Sequence, residues 1–449
     1  MTPSALPAPP GPGRALKLAE LRGRPLDFLV ELKAAYGDVF GYVVDGEQVV
    51  VVSSPRDIST VLRSQADRYP KVDTPDQFVL RPLMGNGLFT SSGAQWRRQR
   101  PVLAPMFRPA QVSRFDGVIT SAAEELAQKW ATDDSTAVAV DAPLSALTLQ
   151  ILVEAVFGKA LTVGAGFASA VDDINHFLGR FRGQDVADNP DAARSLARYT
   201  RGSAVVRGIT GALVDSMGHT DGSSGAVLQR LAGLVETRQE LCDQVMTLLM
   251  AGHETTAKTL GWALHLMSLH PEQQELVAQE AAEVAAGRPL TAADLPRLVH
   301  ATAAVREAMR LYPPVWLFSR RAVAEGELGG CLVPAGALVC ISPWLVHRDA
   351  RWWPQPEQFR LDRALDDVAA GPFTYLPFGG GERVCIGQHL ALLEATLVLS
   401  TLLARCVVAP GGAAVEPEAL VTLRPRGGLG LAVRSRWAAR RAVVGAGAA

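Results

Sequence analysis

The stretch Pro377–Ala391, PFGGGERVCIGQHLA, sets one cysteine, Cys385, between glycines at 379, 380, 381 and 387. The apolar run after it predicts a buried helix over about 387–405, with the thiol at its mouth. Backbone N–H groups and the helix dipole at that position favour thiolate over thiol. The glycines let the backbone approach something flat and bulky without side-chain clash, and Arg383 adds a donor for an anion. Three readings of the cysteine compete: a metal ligand, a nucleophile, or an ordinary buried thiol. A nucleotide loop is the rival for the glycines, but no GxGxxG and no strand–turn–helix unit frames them.

Working outward, the other cysteines are Cys242, Cys331, Cys340 and Cys406. With no CxxC anywhere, a zinc site and a disulfide framework both lose. A nucleophile would need a His or Asn partner; His347 and His389 exist, in no recognisable family context. A bystander thiol explains none of the glycines.

The 449 residues exceed the usual single-domain length, yet no Ser/Gly or Pro tract separates two composition regimes. One large, mostly helical domain is the better reading, with room to enclose a sizeable ligand. A net charge of −1 with no basic block argues against a nucleic-acid partner. Arg and Ala are abundant and Lys scarce, the usage of a GC-rich bacterial genome. Residues 1–24 open with prolines and carry no apolar signal region, so they read as a flexible arm or a strap. No apolar run is long enough for a membrane anchor, and the chain is expected to be cytoplasmic and monomeric. The domain is expected over 25–435 and a frayed tail over 436–449.

Within the domain, 39–52 alternates around an Asp-Gly turn and predicts a hairpin. Helices are expected near 55–65, 94–107, 110–130 and 143–157, whereas 163–226 loosens into weakly amphipathic, surface-exposed pieces. A long helix over roughly 227–269 is apolar all round in its second half, which places it at the centre. Helices at 271–286 and 294–311, β-like segments at 315–341 and a Trp/Pro-rich loop at 343–364 lead to the opening stretch. The fold class is mainly α with small β-sheets (α+β).

Three further clusters stand out. The central helix contains AGHETT, Ala251–Thr256, where a glycine and the acid Glu254 sit in apolar surroundings. A buried carboxylate needs a partner or a task, although a helix kink with threonines bonded back to carbonyls is the plain reading. In REAMRLYPP, Glu307 and Arg310 share a helical face, either as a surface ion pair or as something more, since that face is apolar. In GAQWRRQRPVLAPMF, Trp96 and Arg100 present an indole N–H and a guanidinium together, suited to a carboxylate or to a cation–π contact.

Together these segments resemble the cytochrome P-450 superfamily of haem-thiolate monooxygenases, in its soluble bacterial form. Phe378, Gly381, Arg383, Cys385 and Gly387 match the haem-binding signature FxxGxRxCxG. Ala251, Gly252, Glu254 and Thr255 match [AG]Gx[DE]T; Glu307 and Arg310 match ExxR; Trp96 and Arg100 match WxxxR. The ordered set is specific and spans about 25–435. The resemblance implies haem b held between the central helix and the cysteine-loop helix, with Cys385 as axial iron ligand. Phe378 would shield the thiolate, with Gly379 and Gly387 beside it. Trp96, Arg100, Arg383 and Arg320 would bind the propionates, Arg321 being the adjacent alternative. Glu307 and Arg310 would be structural, tied to the loop near Arg360. Glu254 and Thr255 would relay protons to dioxygen during its reduction, with Gly252 leaving room for it. Glu stands where Asp is commoner in bacterial members, which preserves proton chemistry.

The resemblance also implies electrons from NAD(P)H through a separate ferredoxin and its reductase. By position in the family, the substrate pocket is expected to draw on a 72–90 loop (Phe78, Leu80, Leu88, Phe89) and on Val315, Trp316, Leu317 and Phe318. Their apolar character suits a terpenoid or other natural-product intermediate of secondary metabolism, with a fatty acid as the alternative and Arg81 its carboxylate partner. A haem protein without monooxygenase activity and a non-haem cysteine hydrolase are the readings of other classes.

Overall fold

Asp45 and Gly46 take φ of 46° and 83°, and the turn they form closes a hairpin from Val39–Val44 to Glu47–Val52. The computed structural model describes residues 6–133, 138–158, 166–181, 183–187, 189–215, 231, 233, 235–363 and 371–436. The hairpin continues into a four-stranded sheet: Glu47–Val52 pairs in parallel with Leu338–Ile341, which pairs antiparallel with Phe318–Arg321. Val50 and Val52 enter one apolar cluster and Val49 and Val51 the other, because successive residues face opposite sides of a strand. Both faces are covered, which is why the strand reads as an unbroken valine run.

The larger apolar cluster surrounds the central helix, Arg238–Leu269. Thr237 caps it by accepting from the Glu240 N–H at 3.1 Å, and it ends at His270, before Pro271. At 32 residues it spans about 48 Å at 1.5 Å per residue. Helices Asp141–Phe157, Pro190–Asp215, Val299–Leu311 and Gln388–Arg405 pack against it. Among the described residues no helix is long and apolar enough to cross a membrane.

Two expectations need correction. The 163–226 region is not loose throughout: it holds helices Gly166–Arg180 and Pro190–Asp215, packed on each other. Gly202, which lowered helical propensity in the sequence, lets that packing close, since a Cβ there would lie 2.7 Å from the Ala170 carbonyl oxygen. The 72–90 segment is not a loop but contains the helix Pro75–Met84. Beyond 405, short strands Cys406–Pro410 and Gly430–Ser435 form a sheet with Val138–Ala139, and Pro417–Ala419 pairs with Leu423–Pro425. Strands this short carry too few residues for alternation to show.

The proline-rich segment lies along the sheet as a strap. Gly41 and Leu332 donate to the carbonyls of Pro10 and Pro7, each at 2.9 Å, and Leu16 bridges to Val44. At the other end Arg436 donates to the Leu403 carbonyl and pairs with Glu275, so it belongs to the fold rather than to a tail. The expected tail from 437, the first five residues, residues 216–226 of the looser region and residues 227–230 of the expected long helix lie outside the described residues, and the long helix begins at Arg238.

Candidate active site

The cysteine loop is wound tightly before the helix Gln388–Arg405 begins. Gly379 N–H donates to Leu376 O at 3.1 Å, Val384 N–H to Gly381 O at 3.2 Å, and Cys385 N–H to Phe378 O at 3.0 Å. Gly381 has φ 67°, and a Cβ there would stand 1.9 Å from the Leu62 carbonyl oxygen. At Gly380 a Cβ would meet the Phe373 ring at 2.7 Å. These two glycines therefore make room for protein, not for a bound ligand as the sequence suggested. Gly387 differs: the nearest atom to its would-be Cβ is the Cys385 sulfur, at 3.9 Å.

Cys385 has exposed surface, yet protein burial raises its thiol pKa. Both hold if the exposed sulfur faces a space inside the molecule. The backbone N–H groups of Gly387 and Gln388, and the Arg100 charge, oppose that rise by favouring thiolate. His347, the candidate base for a nucleophile, is engaged at both ring nitrogens: Nε2 accepts from the Leu376 N–H at 2.7 Å and Nδ1 lies 3.2 Å from the Arg310 carbonyl. His389 is exposed on the surface helix start. The nucleophile reading therefore lacks its base.

On the central helix, Ala251 is exposed in the middle of a helix whose other residues are almost all buried. Ala251 and the half-buried Thr255, one turn apart, mark one face of this helix that no described side chain covers fully. Thr255 Oγ1 donates to the Ala251 carbonyl at 2.8 Å. Gly252 faces the other way: a Cβ would touch Leu152 at 3.0 Å, so its small size serves helix packing instead of clearing space for dioxygen. Glu254 does not meet Thr255. Its Oε1 accepts from Asn175 Nδ2 at 2.5 Å and from Thr422 Oγ1 at 2.9 Å.

At the rim, the guanidinium groups of Arg100, Arg320 and Arg383 form no salt bridge with any described carboxylate. Burial pushes the Arg383 pKa down to about 10, with the neighbouring Arg320 and Arg100 charges adding to the effect. Arg320 and Arg100 are lowered by burial as well. Arg383 stacks on Trp96 at 4.0 Å and donates to Ser91 O at 2.9 Å, while its buried Nε has no partner. Arg100 donates to Val384 O at 2.8 Å, and Arg320 only to the carbonyl of Ser319, at 2.8 Å. Arg321 is turned elsewhere, to Glu47 and to the carbonyls of Gly336 and Asp73. Buried cations without counter-ions are costly, and this cluster fits a ligand that brings anionic groups of its own. Lys71, which sequence reasoning missed, stands nearby but is paired with Asp76 at 2.7 Å.

Glu307 and Arg310 are fully buried and doubly bonded, both contacts at 2.7 Å. Arg310 also donates to the carbonyls of His347, Pro356 and Gln358, and Glu307 accepts from the Arg360 N–H and from Arg363 Nε. Arg363, and the part His347 plays in this buttress, were not foreseen. Their partners lie 29 to 56 positions away in sequence, where no periodicity reports them.

The anticipated pocket residues separate. Leu80 and Leu88 belong to the main core and Phe89 packs against it, with Lys71 3.6 Å above its ring. Phe78 is 79% exposed and lines an outer groove of about 810 Å³, not an enclosed pocket. Trp316 and Leu317 line the same groove, with Phe28, Leu178 and Leu420. Phe318 packs on the sheet cluster and Val315 is 38% exposed.

A helical body, a cysteine loop at the head of a buried helix and buried guanidiniums with no counter-ion among the described residues together fit a haem protein. The cytochrome P-450 family model matches residues 5–202 and 233–428, and the chain belongs to that family. It is a cytochrome P-450 monooxygenase, which uses haem iron and dioxygen and takes electrons from a redox partner. It is 33% identical to the cyclooctatin synthase of Streptomyces melanosporofaciens over 432 residues, covering 92% of this chain and 91% of that protein. It is 30% identical to cyclooctat-9-en-7-ol 5-monooxygenase of the same organism over 407 residues, covering 86% of each chain.

Proposed function

We propose that the chain oxygenates an uncharged terpenoid in bacterial secondary metabolism. What carries this reading is the outer groove. Its walls are largely apolar, and of its three arginines Arg22 is engaged by the Arg180 carbonyl and Asp185 and Arg321 by Glu47, which leaves Arg81, bonded to the Thr90 carbonyl, as the one without a carboxylate partner among the described residues. A fatty acid would need one of these cations for its carboxylate. The named relatives, one of which is a monooxygenase of an alcohol, support the same class.

Haem b, when bound, supplies the dioxygen-activating and substrate-oxidising chemistry. Cys385 would ligate its iron, with the N–H groups of Gly387 and Gln388 directed at the sulfur. Trp96, Arg100, Arg320 and Arg383 would hold the propionates. Phe378 would cover the sulfur, next to Gly379. Thr255 would present its hydroxyl on the distal side beside Ala251, and Glu254 would supply it with protons after turning from Asn175 and Thr422. Electrons would come from NAD(P)H through a ferredoxin and its reductase.

The carbon monoxide difference spectrum of the reduced protein should show a strongly red-shifted Soret band, lost in Cys385→Ala. Thr255→Ala should keep consuming reductant while product falls and peroxide is released; unchanged product yield would refute its role. Spin-state titration should show terpenoid hydrocarbons and alcohols binding more tightly than fatty acids. The reverse order would overturn the substrate class.

A further inference from the structure

Three elements converge on Glu254, and each brings one inner and one outer polar residue. On Gly166–Arg180, Asp172 precedes Asn175 by three, on one helical face. On the central helix, Lys258 follows Glu254 by four. Beyond Val421, Thr422 is followed two residues on by Arg424. The inner layer is Asn175–Glu254–Thr422, each member no more than 7% exposed. In the outer layer Arg424 Nη1 lies 3.1 Å from Asp172 Oδ1, and Lys258 Nζ lies 3.2 Å from Asp141 Oδ1. Arg424 also reaches Glu418 at 3.3 Å, and Glu418 is shared with Arg180.

The Asp172 side chain is 55% exposed, yet its carboxyl pKa is raised by protein burial, then lowered by Lys258 and Arg424 and raised by Glu254 and Asp141. One side of the carboxyl thus meets solvent while the other is walled by protein. Asp172 is the acid on the solvent side of a polar column whose inner end is Glu254.

The two groups bonded to Glu254 differ in chemistry. The Asn175 amide nitrogen donates but has no lone pair free to take a proton. A hydroxyl both donates and accepts. We propose that Thr422 relays protons to Glu254 and that Asp172 gathers them from solvent, with Asn175 holding the carboxylate in place. Asp172 takes a proton from hydronium and passes it through water to the Thr422 oxygen. The Thr422 O–H bond breaks as its own proton goes to Glu254 Oε1. Threonine is left a hydroxyl, Glu254 a neutral acid, and no electrons move. The inference rests on the reading that Glu254 supplies protons during turnover.

The test uses the full haem-bound protein with its redox partners, and each variant first shows the carbon monoxide band of a folded protein. Thr422→Val, which keeps shape and removes the hydroxyl, should lower product per reductant about tenfold and enlarge the solvent isotope effect. Thr422→Ser should restore both. In the resting protein, difference infrared against Glu254→Gln should show the Glu254 carboxylate stretch, shifted in Thr422→Val, which removes a hydrogen bond to Oε1, and restored in Thr422→Ser. Asp172→Asn should lower product per reductant in the same direction as Thr422→Val. Wild-type values in Thr422→Val, or a Thr422→Ser as impaired as the valine, would overturn the relay. A wild-type Asp172→Asn would overturn the gathering role. If Glu254→Gln itself retains full yield, the underlying reading of Glu254 fails instead.

Discussion

The Leu376 N–H donates to His347 Nε2 at 2.7 Å, tying the start of the cysteine loop to a buried imidazole. Because Nε2 accepts, Nδ1 carries the proton and donates it to the Arg310 carbonyl at 3.2 Å. The ring thus joins the loop to the helix Val299–Leu311 through a neutral tautomer.

That neutrality sets a pH dependence. Burial first, then the Arg310 and Arg348 charges, push the His347 pKa down to about 3. Between that value and the ordinary histidine range, the unfolded chain binds a proton that the folded chain does not. Stability is complete above pH ~6.5 and declines as pH falls toward 3, by at most about 1.4 kcal/mol per pH unit from this group. Denaturant midpoints from pH 7 down to 4 should fall less steeply in His347→Gln than in wild type. An identical slope would show that His347 does not titrate on unfolding.

Breaking the pair beside it should be severe. Arg310→Ala leaves Glu307 buried with Arg363 as its remaining side-chain cation, and loses three carbonyl contacts as well. A cost of about 3–5 kcal/mol is expected from removing one partner of a buried pair. Chemical denaturation of Arg310→Ala and Glu307→Ala measures it, and a loss below 1 kcal/mol would contradict the buttress.

Adjacent arginines should separate two roles. Arg320→Gln should weaken haem retention, read by absorbance during haem exchange, because its guanidinium stands in the unpaired cluster. Arg321→Gln should leave haem retention near wild type, since its partners are Glu47, Gly336 and Asp73. The opposite pattern would reassign the propionate contact.

The motif glycines should fail for different reasons. Gly381→Ala must hold a positive φ and displace the Leu62 carbonyl, so about 1–3 kcal/mol of strain or more is expected in thermal unfolding. Gly387→Ala meets no protein atom closer than the cysteine sulfur and should keep the haem-free fold while altering the Soret spectrum. Equal stability losses in both would refute the distinction.

Much of this was legible in one dimension. The valine run, the Asp-Gly turn and the all-apolar helix announce their elements because their signals are local periods. Glu307 and Arg310 share a helical face by spacing alone, although only the fold shows that face to be fully buried. Gly202 sits inside a helix all the same, since its helix-breaking tendency is outweighed by the packing it permits against Ala170.

The sequence by itself determined the family, the cysteine motif that identifies it and the order of the helices around it, since each rests on residue identity at short spacing. Tertiary structure alone decided which way the side chains face. It turns Gly252 toward Leu152, Glu254 toward Asn175 and Thr422, and Arg321 away from Arg320's cluster. Those directions depend on neighbours brought in from distant segments, and spacing along the chain carries no record of them.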